Sequence, residues 1–244
     1  MYPLSFFGGI IIYMKIHGLN KLTLLDYPQH TACTVFTGGC NFRCPFCHNA
    51  TLVINPDSQP IIKEDEFFSF LDKRIGLLEG VCITGGEPTI AKGLEEFVDK
   101  IKEKGLAVKL DTNGSRPEVV KKLIDGKKID YIAMDIKNSL DAYGKTIGIK
   151  NFDTSQVEES VKIIMSSGID YEFRTTVVKE FHEEQNFAKI GQWLKGAKLY
   201  VLQNFRDGED LIVSGLGNHS DQKMQQFCRQ LTPFFQKVLI RGKS

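Results

Sequence analysis

Three of the six cysteines in this 244-residue chain, Cys40, Cys44 and Cys47, lie within a single short segment. The segment follows directly on an apolar, β-branched run, so we expect it to form a loop at the carboxyl end of a strand. The spacing lets one turn of backbone wrap three thiolates around one centre, and the Gly38-Gly39 pair leaves the backbone free to approach that centre. A disulfide framework would spread the cysteines more evenly. The cluster therefore indicates metal or redox chemistry.

The number of thiols bears on the kind of centre. A structural zinc needs a fourth protein ligand, and neither His48, adjacent to Cys47, nor Cys33, inside an apolar run, is well placed to supply it. A four-iron cluster ordinarily takes four cysteines, so three thiolates would leave one iron open to an exogenous ligand. A structural zinc, buried thiols and an electron-transfer cluster with a distant fourth cysteine are the alternatives. We expect Cys33, Cys82 and Cys228 to be small buried hydrophobes.

Glycine or polar residues interrupt the apolar runs at their ends. They are Gly85, Gly86 and Glu87 after the second run, Asp111, Thr112 and Asn113 after the third, Asp135 and Lys137 after the fourth, and Gln203 and Asn204 after the sixth. Parallel-barrel enzymes build their sites at the carboxyl ends of strands, so these residues are expected to meet. In the fifth run Arg174, Thr175 and Thr176 fall inside the strand. Taken singly, each position could instead be a turn or a helix cap.

The elements that must position these residues alternate along the chain. From Thr31 onward, apolar runs alternate with segments of helical period, which is typical of βαβ units and a parallel sheet. Six strands are predicted, at 31–37, 81–84, 106–110, 131–134, 171–178 and 199–203, with a candidate edge strand at 238–241. Helices are expected near 155–167, 184–195 and 220–237, the last disturbed by Pro233. Two further helical faces comprise Phe67, Leu71, Ile75 and Leu78, and Leu94, Phe97, Val98 and Ile101.

Composition and termini narrow the classes of protein. Lysine and arginine number 31 against 30 acids, with 42% hydrophobic and 25% charged residues, which is ordinary for a globular protein. Neither a nucleic acid nor a membrane is expected as a partner. Residues 1–15 are interpreted as an N-terminal extension, either an upstream addition or an edge strand, and residues 16–244 as a single domain with a long loop at 205–219. Because no export signal is recognised, we expect a cytoplasmic protein.

Five motifs occur in order and carry a family resemblance. The cysteines form a C-x3-C-x2-C triplet with Phe46 before the last cysteine; Cys-His-Asn at 47–49, Thr-Gly-Gly-Glu-Pro at 84–88, Asp-Thr-Asn-Gly at 111–114 and Met-Asp-Ile-Lys at 134–137 follow. Over about residues 16–242 the chain resembles the radical S-adenosylmethionine (SAM) enzymes, and among them the glycyl-radical-enzyme activases. The runs at 22–28 and 240–242 look most like the type that activates anaerobic ribonucleoside-triphosphate reductase.

The resemblance implies an α/β fold, a partial (β/α)6 TIM-like barrel of the radical SAM type. It also implies a [4Fe-4S] cluster on Cys40, Cys44 and Cys47, with the open iron chelated by the amino and carboxylate groups of S-adenosylmethionine. The residues implied to bind that cofactor are Phe46, His48, Gly85, Gly86, Glu87, Asp111, Asp135, Lys137, Arg174 and Thr176. A monovalent cation is implied near Asp111, Thr112 and Asp135.

The implied activity is reductive cleavage of S-adenosylmethionine to a 5′-deoxyadenosyl radical, which installs a glycyl radical on a partner enzyme. The partner is expected to be anaerobic ribonucleotide reductase, and the electron donor flavodoxin or ferredoxin. No general base is needed, so no catalytic residue is predicted beyond the cluster and cofactor. The alternatives are a radical enzyme acting on a small molecule, of the deazapurine-precursor type, and a non-catalytic iron–sulfur or zinc module.

Two positions are ambiguous at this level. Arg174 contacts the cofactor in relatives, but here it could instead form an ion pair with Glu87 or Asp135. Some activases carry a histidine after the sixth strand, where this chain has Gln203 and Asn204. The histidines expected on loops without a catalytic role are His17, His30, His182 and His219.

Overall fold

The strands within the described residues form one eight-stranded sheet. The structure, a computed structural model, describes residues 13–208 and 210–242. The strands are β1 (Ile16–Thr23), β2 (Ala32–Thr37), β3 (Gly80–Gly85), β4 (Ala107–Thr112), β5 (Tyr131–Asp135), β6 (Asp170–Val177), β7 (Leu199–Asn204) and β8 (Lys237–Arg241). They lie side by side in chain order. β1 is antiparallel to β2, and each later neighbouring pair is parallel.

Helices connect the parallel strands. They are α1 (Ala50–Ile54), α2 (Glu64–Asp72), α3 (Leu94–Glu103), α4 (Pro117–Asp125), α5 (Tyr143–Thr146), α6 (Ser155–Ser166), α7 (Glu184–Trp193) and α8 (Asp221–Leu231). Strands β2–β7 are the six predicted strands, so the predicted partial barrel is confirmed. Within the described residues, β1 and β8 are the edges of the sheet. No helix there has both the length and the apolar character needed to cross a membrane.

Hydrophobic periodicity accounts for how the helices cover the sheet. In α3, the predicted face of Leu94, Phe97, Val98 and Ile101 is buried, and the helix packs on β4. In β3, Val81, Cys82 and Ile83 are fully buried, as expected for a strand with helices on one side and a barrel interior on the other. The buried strands and helical faces therefore fix the carboxyl ends of the strands relative to one another.

The structure corrects three expectations about the elements. Strand β1 was not predicted, because it is a polar edge strand whose register with β2 is irregular. Helix α2 ends at Asp72, which leaves Ile75 exposed, although Leu78 is buried. Helix α8 ends at Leu231 and not at 237. Pro233 explains that early end, because proline lacks an N–H donor and disfavours a helical residue before it.

The predicted N-terminal extension lies mostly outside the described residues, since residues 1–12 are not among them. Met14 is buried, and its backbone N–H donates to Glu64 Oε1 at 2.5 Å. The assignment of residues 1–15 as an extension and of 16–244 as one domain stays a prediction. In the predicted loop, residues 205–208 and 210–219 contain no helix or strand.

Charged side chains occupy the interior of the barrel. Alternation along a strand places every second residue on the same face, which gives Lys109 and Asp111 one face of β4 and Glu172 and Arg174 one face of β6. Glu172 is fully buried, and its two oxygens accept hydrogen bonds from Arg241 on β8 at 2.6 and 2.5 Å. The barrel wall is therefore joined by ion pairs between strands as well as by backbone hydrogen bonds.

We expect Arg241→Met to destabilise the protein by about 3 kcal/mol, because it leaves the buried Glu172 carboxylate without its cation. Chemical denaturation followed by circular dichroism measures the change. Arg116→Met is the matched control, since Arg116 pairs with Glu118 on the surface, where an ion pair contributes less than about 1 kcal/mol. Equal stability losses in the two variants would contradict the importance of the buried pair.

Candidate active site

A cavity of about 220 Å³ opens at the carboxyl ends of the parallel strands. Every residue predicted to bind the cluster or the cofactor lines it: Cys40, Cys44, Cys47, Phe46, His48, Gly85, Gly86, Glu87, Asp111, Asp135, Lys137, Arg174 and Thr176. These residues come from loops and strands that are far apart in sequence. The structure therefore brings the predicted residues together at the end of the barrel where such enzymes place their sites.

The cysteine loop is held by backbone hydrogen bonds on both sides. Gly39 N–H donates to the carbonyl of Leu52 at 2.8 Å, and Arg43 N–H donates to the carbonyl of Ile147 at 3.0 Å. Within the loop, Phe42 N–H lies 3.3 Å from Cys40 Sγ. All three thiols are free. An N–H directed at a sulfur stabilises a thiolate, as a ligand to iron requires.

The surroundings of the thiols also determine their protonation. Burial raises the pKa of Cys40 to about 11 and that of Cys44 to about 12, and it raises the pKa of Cys47 as well. The Lys137 ammonium acts in the opposite direction on all three. Without metal the thiols are therefore protonated at neutral pH, and metal binding must displace their protons.

The donor set fits an iron–sulfur cluster. Among residues 13–208 and 210–242, no three Cys, His, Asp or Glu side chains are grouped so as to hold one metal ion. Iron–sulfur clusters are held by cysteine thiolates spread around several irons. Three thiols that line one cavity, beside polar groups from four strands, fit a cluster with one iron facing the cavity.

The glycines after β3 allow two loops to touch. Gly86 N–H donates to the carbonyl of Thr37, and Glu87 N–H donates to that of Gly39, both at 2.8 Å. A Cβ on Gly86 would lie 1.8 Å from the carbonyl oxygen of Gly39. Gly85 has φ of +114°, a conformation that L side chains rarely adopt. The Gly85-Gly86 pair is therefore required for the end of β3 to reach the cysteine loop.

We expect Gly86→Ala to reduce cluster content and cofactor cleavage by at least about tenfold, because displacing the supports of metal ligands typically costs 10–100-fold. Iron analysis and the rate of 5′-deoxyadenosine formation measure the effect. Gly208→Ala is the control, since a Cβ at Gly208 meets nothing within 4 Å. A Gly86→Ala enzyme with normal iron content and rate would show that the loop contact is dispensable.

Glu87 links the ends of two strands. It is 1% exposed, and its oxygens accept hydrogen bonds from Thr89 N–H (3.1 Å) and Oγ1 (2.5 Å), Thr112 Oγ1 (2.7 Å) and Asn113 N–H (2.6 Å). Burial raises the pKa of Glu87, and these hydrogen bonds oppose that shift. The carboxylate is therefore fixed in place at the edge of the cavity.

Arg174 joins two acids on neighbouring strands. Its Nε lies 2.5 Å from Asp135 Oδ1 and its Nη2 lies 3.0 Å from Asp111 Oδ2, so these two acids are its ion-pair partners, and its contact with the cofactor stays a prediction. Lys137 Nζ is 2.8 Å from Asp135 Oδ2, and Lys109 Nζ contacts Asp111 Oδ1. Burial alone would raise the pKa of both aspartates, but the neighbouring cations outweigh it and lower the pKa of each. Both carboxylates are ionised at neutral pH.

Aromatic rings border the other side of the cavity. Phe46 is 4% exposed and packs 5.7 Å from the ring of Phe181. His48 Nε2 lies 2.8 Å from the carbonyl oxygen of Arg206, and its ring centroid lies 5.4 Å from that of Phe205. Of the two candidates after the sixth predicted strand, Gln203 lines the cavity. Asn204 is the next residue along β7 and therefore lies on the opposite face.

Several residues of the site were assigned no role from the sequence. Lys109 is 2% exposed inside the barrel, Asn49 Nδ2 donates to the carbonyl of Gly85 at 2.9 Å, and Asn113 Nδ2 lies 3.8 Å from Cys40 Sγ. His182, expected on a loop without a catalytic role, is fully buried and lies 2.8 Å from the carbonyl of Lys137. Burial lowers the pKa of His182 to about 4. The sequence signal for Lys109 was a charge two residues before Asp111 within an apolar strand, and the signal for Asn49 and Asn113 was their place in the Cys-His-Asn and Asp-Thr-Asn-Gly motifs.

Comparison with known proteins identifies the class to which this site belongs. Residues 34–190 match the Radical SAM superfamily, and the chain belongs to that superfamily. It is therefore an enzyme whose cofactors are a [4Fe-4S] cluster and S-adenosylmethionine.

Among relatives, the chain is 30% identical over 232 residues to a Methanocaldococcus jannaschii protein whose name proposes it as a glycyl-radical enzyme activating enzyme. That alignment covers 93% of this chain and 95% of the relative. The chain is also 32% identical over 184 residues to the GTP 3′,8-cyclase of Helicobacter pylori, covering 70% of this chain and 52% of the cyclase. The similarity to activating enzymes thus extends over more of both chains.

Two solved structures have the same fold. Streptococcus suis SuiB bound to the precursor peptide SuiA has a TM-score of 0.67 at 13% identity, over 86% of this chain and 48% of SuiB. A domain of pyruvate-formate lyase-activating enzyme from Bacteroides vulgatus has a TM-score of 0.55 at 17% identity, over 67% of this chain and 99% of that domain. At these identities the likeness concerns the fold alone.

Proposed function

We propose that this enzyme installs a glycyl radical on a partner enzyme, and that the partner is anaerobic ribonucleoside-triphosphate reductase. The observation that carries the proposal is the alignment with the M. jannaschii relative, which runs over nearly the full length of both chains. The specific partner is supported by the sequence resemblance at residues 22–28 and 240–242.

The cysteine loop is the proposed cluster site, with Cys40, Cys44 and Cys47 as its ligands. When bound, the reduced cluster supplies the electron that cleaves S-adenosylmethionine to methionine and the 5′-deoxyadenosyl radical, which removes a hydrogen atom from the partner's glycine. Asn113 and the backbone N–H of Phe42 support the Cys40 thiolate through their contacts with its sulfur. These contacts orient the ligand and stabilise its negative charge.

The remaining cavity residues are assigned to the cofactor. Gly85, Gly86 and Glu87 are proposed to meet its amino group, because the fixed Glu87 carboxylate complements a positive charge. Arg174, Lys137 and Asp135 would hold the carboxylate and ribose, with Asp111 and Thr176 beside them. Phe46 and His48 would border the adenine. These groups bind and orient, while the barrel walls exclude water from a species that would attack other C–H bonds.

The proposed cluster also bears on the electron donor and on the cellular location of the enzyme. A cluster that must be reduced before cleavage needs a one-electron donor, which we propose is flavodoxin or ferredoxin. The proposed location is the cytoplasm, where reducing conditions keep thiols available to iron.

A radical enzyme acting on a small molecule is the second candidate. The similarity to GTP 3′,8-cyclase favours it, since that enzyme is named for a nucleotide substrate. Against it, the shared region covers only about half of the cyclase. The two functions give different products, a glycyl radical on a protein or a modified nucleotide, so one experiment distinguishes them.

The test is anaerobic incubation of the reconstituted, reduced enzyme with S-adenosylmethionine and either the reductase or GTP. We expect a glycyl-radical doublet in the electron paramagnetic resonance spectrum of the reductase, and no modified nucleotide. The Cys44→Ala enzyme serves as the inactive control. Cleavage of S-adenosylmethionine without a doublet on any glycyl-radical enzyme would refute the proposal, and a GTP-derived product would favour the second candidate.

A further inference from the structure

The two aspartates at the top of the barrel already use all four carboxylate oxygens on the protein's own cations. Asp111 Oδ1 contacts Lys109 Nζ, and Asp111 Oδ2 lies 3.0 Å from Arg174 Nη2. Asp135 Oδ1 lies 2.5 Å from Arg174 Nε, and Asp135 Oδ2 lies 2.8 Å from Lys137 Nζ. Three buried or half-buried cations therefore face these two carboxylates.

The third group implied to hold a monovalent cation is also engaged. Thr112 Oγ1 donates to Glu87 Oε1 at 2.7 Å and accepts from Gly114 N–H at 3.1 Å. The cation that the family resemblance implies near Asp111, Thr112 and Asp135 therefore does not fit these residues as they are arranged. A metal ion there would lie beside an ammonium and a guanidinium group and be repelled by both.

Lys109 supplies the cation that pairs with Asp111 Oδ1. It lies on β4 two residues before Asp111, and its ammonium is 3.7 Å from Cys82 Sγ and 5.9 Å from the centroid of the Tyr131 ring. Its side chain is 2% exposed. It is therefore a fixed charge within the barrel that touches the cavity only through Asp111, and Asp111 in turn orients Arg174.

We infer that Arg174, positioned by the Lys109–Asp111 pair, takes the place of the monovalent cation, so that this enzyme binds and cleaves S-adenosylmethionine without Na⁺ or K⁺. The inference rests on the proposed assignment of the cavity to that cofactor. The Arg174 guanidinium, which lines the cavity, complements the carboxylate of the methionine half. Lys109 is a positioning residue for that carboxylate, since it acts through Asp111 and Arg174.

The first test uses the wild-type holoenzyme in choline buffer free of alkali cations. Photoreduction with a deazaflavin replaces sodium dithionite, which would add Na⁺. KCl or NaCl is exchanged for choline chloride at constant ionic strength, and cofactor affinity and 5′-deoxyadenosine formation are measured without any partner enzyme. We expect both to change less than twofold up to 100 mM K⁺. Saturable stimulation by K⁺ or Na⁺ of more than fivefold would overturn the inference.

Because this readout needs no partner, it is independent of whether the enzyme activates a reductase. If the doublet experiment fails while cleavage is insensitive to K⁺, the partner is wrong and the inference stands. If the doublet forms but cleavage requires K⁺, the proposed partner stands and the inference about the cation is wrong.

A second test asks whether Lys109 provides the effect. Lys109→Met leaves Asp111 Oδ1 without a cation, with Cys82 Sγ at 3.8 Å, so we expect weaker cofactor binding that K⁺, but not choline, restores by at least threefold. A purely structural role would not create a response specific to K⁺. Lys162→Met removes an exposed charge, 74% accessible on α6, and is expected to behave as wild type. A Lys109→Met enzyme with a full cluster, weakened cofactor binding and no response to K⁺ would refute the role of Lys109. If that variant does not fold, the K⁺ titration of the wild-type enzyme tests the inference by itself.

Discussion

Replacing Cys44 with alanine is expected to abolish cluster assembly and to lower the rate of cofactor cleavage by more than about 100-fold, since loss of a ligand should exceed the 10–100-fold typical of outer contacts. Cys44 is 7% exposed and lines the cavity together with Cys40 and Cys47. Two thiolates cannot hold a cluster that already has one fewer cysteine than the usual four. Iron content, visible absorbance and 5′-deoxyadenosine formation measure the loss.

The control for this variant is Cys228→Ala. Cys228 lies on α8, outside the cavity, and is partly exposed, so its removal should leave iron content and rate within about twofold of wild type, as for a substitution away from any special feature. Full cleavage activity in the Cys44→Ala enzyme would contradict the assignment of the cluster to this loop.

Asp135→Asn is expected to have the second largest effect. It removes one of two carboxylates that face Arg174, Lys137 and Lys109. Removing one partner of a fully buried ion pair lowers the free energy of unfolding by about 3–5 kcal/mol. The Asp135 side chain is 26% exposed, so we expect a smaller loss of stability, about 2–3 kcal/mol. Cofactor binding should weaken as well, because Arg174 and Lys137 lose the group that orients them.

The effect has a defined dependence on pH. Burial alone would raise the pKa of Asp135, but Arg174 and Lys137 overcome it and hold that pKa below its ordinary value. A group with a lowered folded pKa stabilises the protein above its unfolded pKa, about 3.9 for aspartate, and loses that contribution as pH falls through the folded value. The stability difference between wild type and Asp135→Asn should therefore be constant from about pH 5 to 7 and shrink below about pH 4.

Denaturation of the reduced apoprotein at several pH values measures this difference. Asp57→Asn is the matched control, because the Asp57 side chain is 84% exposed and its partner Lys15 is 3.4 Å away; its stability should stay within about 0.5 kcal/mol of wild type. A difference for Asp135→Asn that does not diminish in acid would mean that the carboxylate charge is not its source.

The fold class was predicted from the sequence and is confirmed, and the residues proposed for the site line one cavity, although Lys109 and His182 were not among them. The six strands were predicted from apolar runs, and their ends contained the residues that line the cavity. Residues at the carboxyl ends of parallel strands converge whatever the details of packing. The cysteine triplet was visible because its members are close in sequence, so local backbone alone brings them near one another.

The tertiary structure decided what depends on contacts between distant segments. That Arg174 pairs with Asp111 and Asp135, that Lys109 supports Asp111, and that His182 reaches the carbonyl of Lys137 are facts about neighbouring strands and loops. The edge strand β1 likewise acquires its conformation from pairing with β2, since its own residues alternate weakly. Sequence thus determined which groups are present and at which end of the barrel they lie, because local periodicity and strand direction fix those properties. Which charges neutralise one another was decided by the register of β4, β5 and β6, because an ion pair forms only where folding places two side chains within reach.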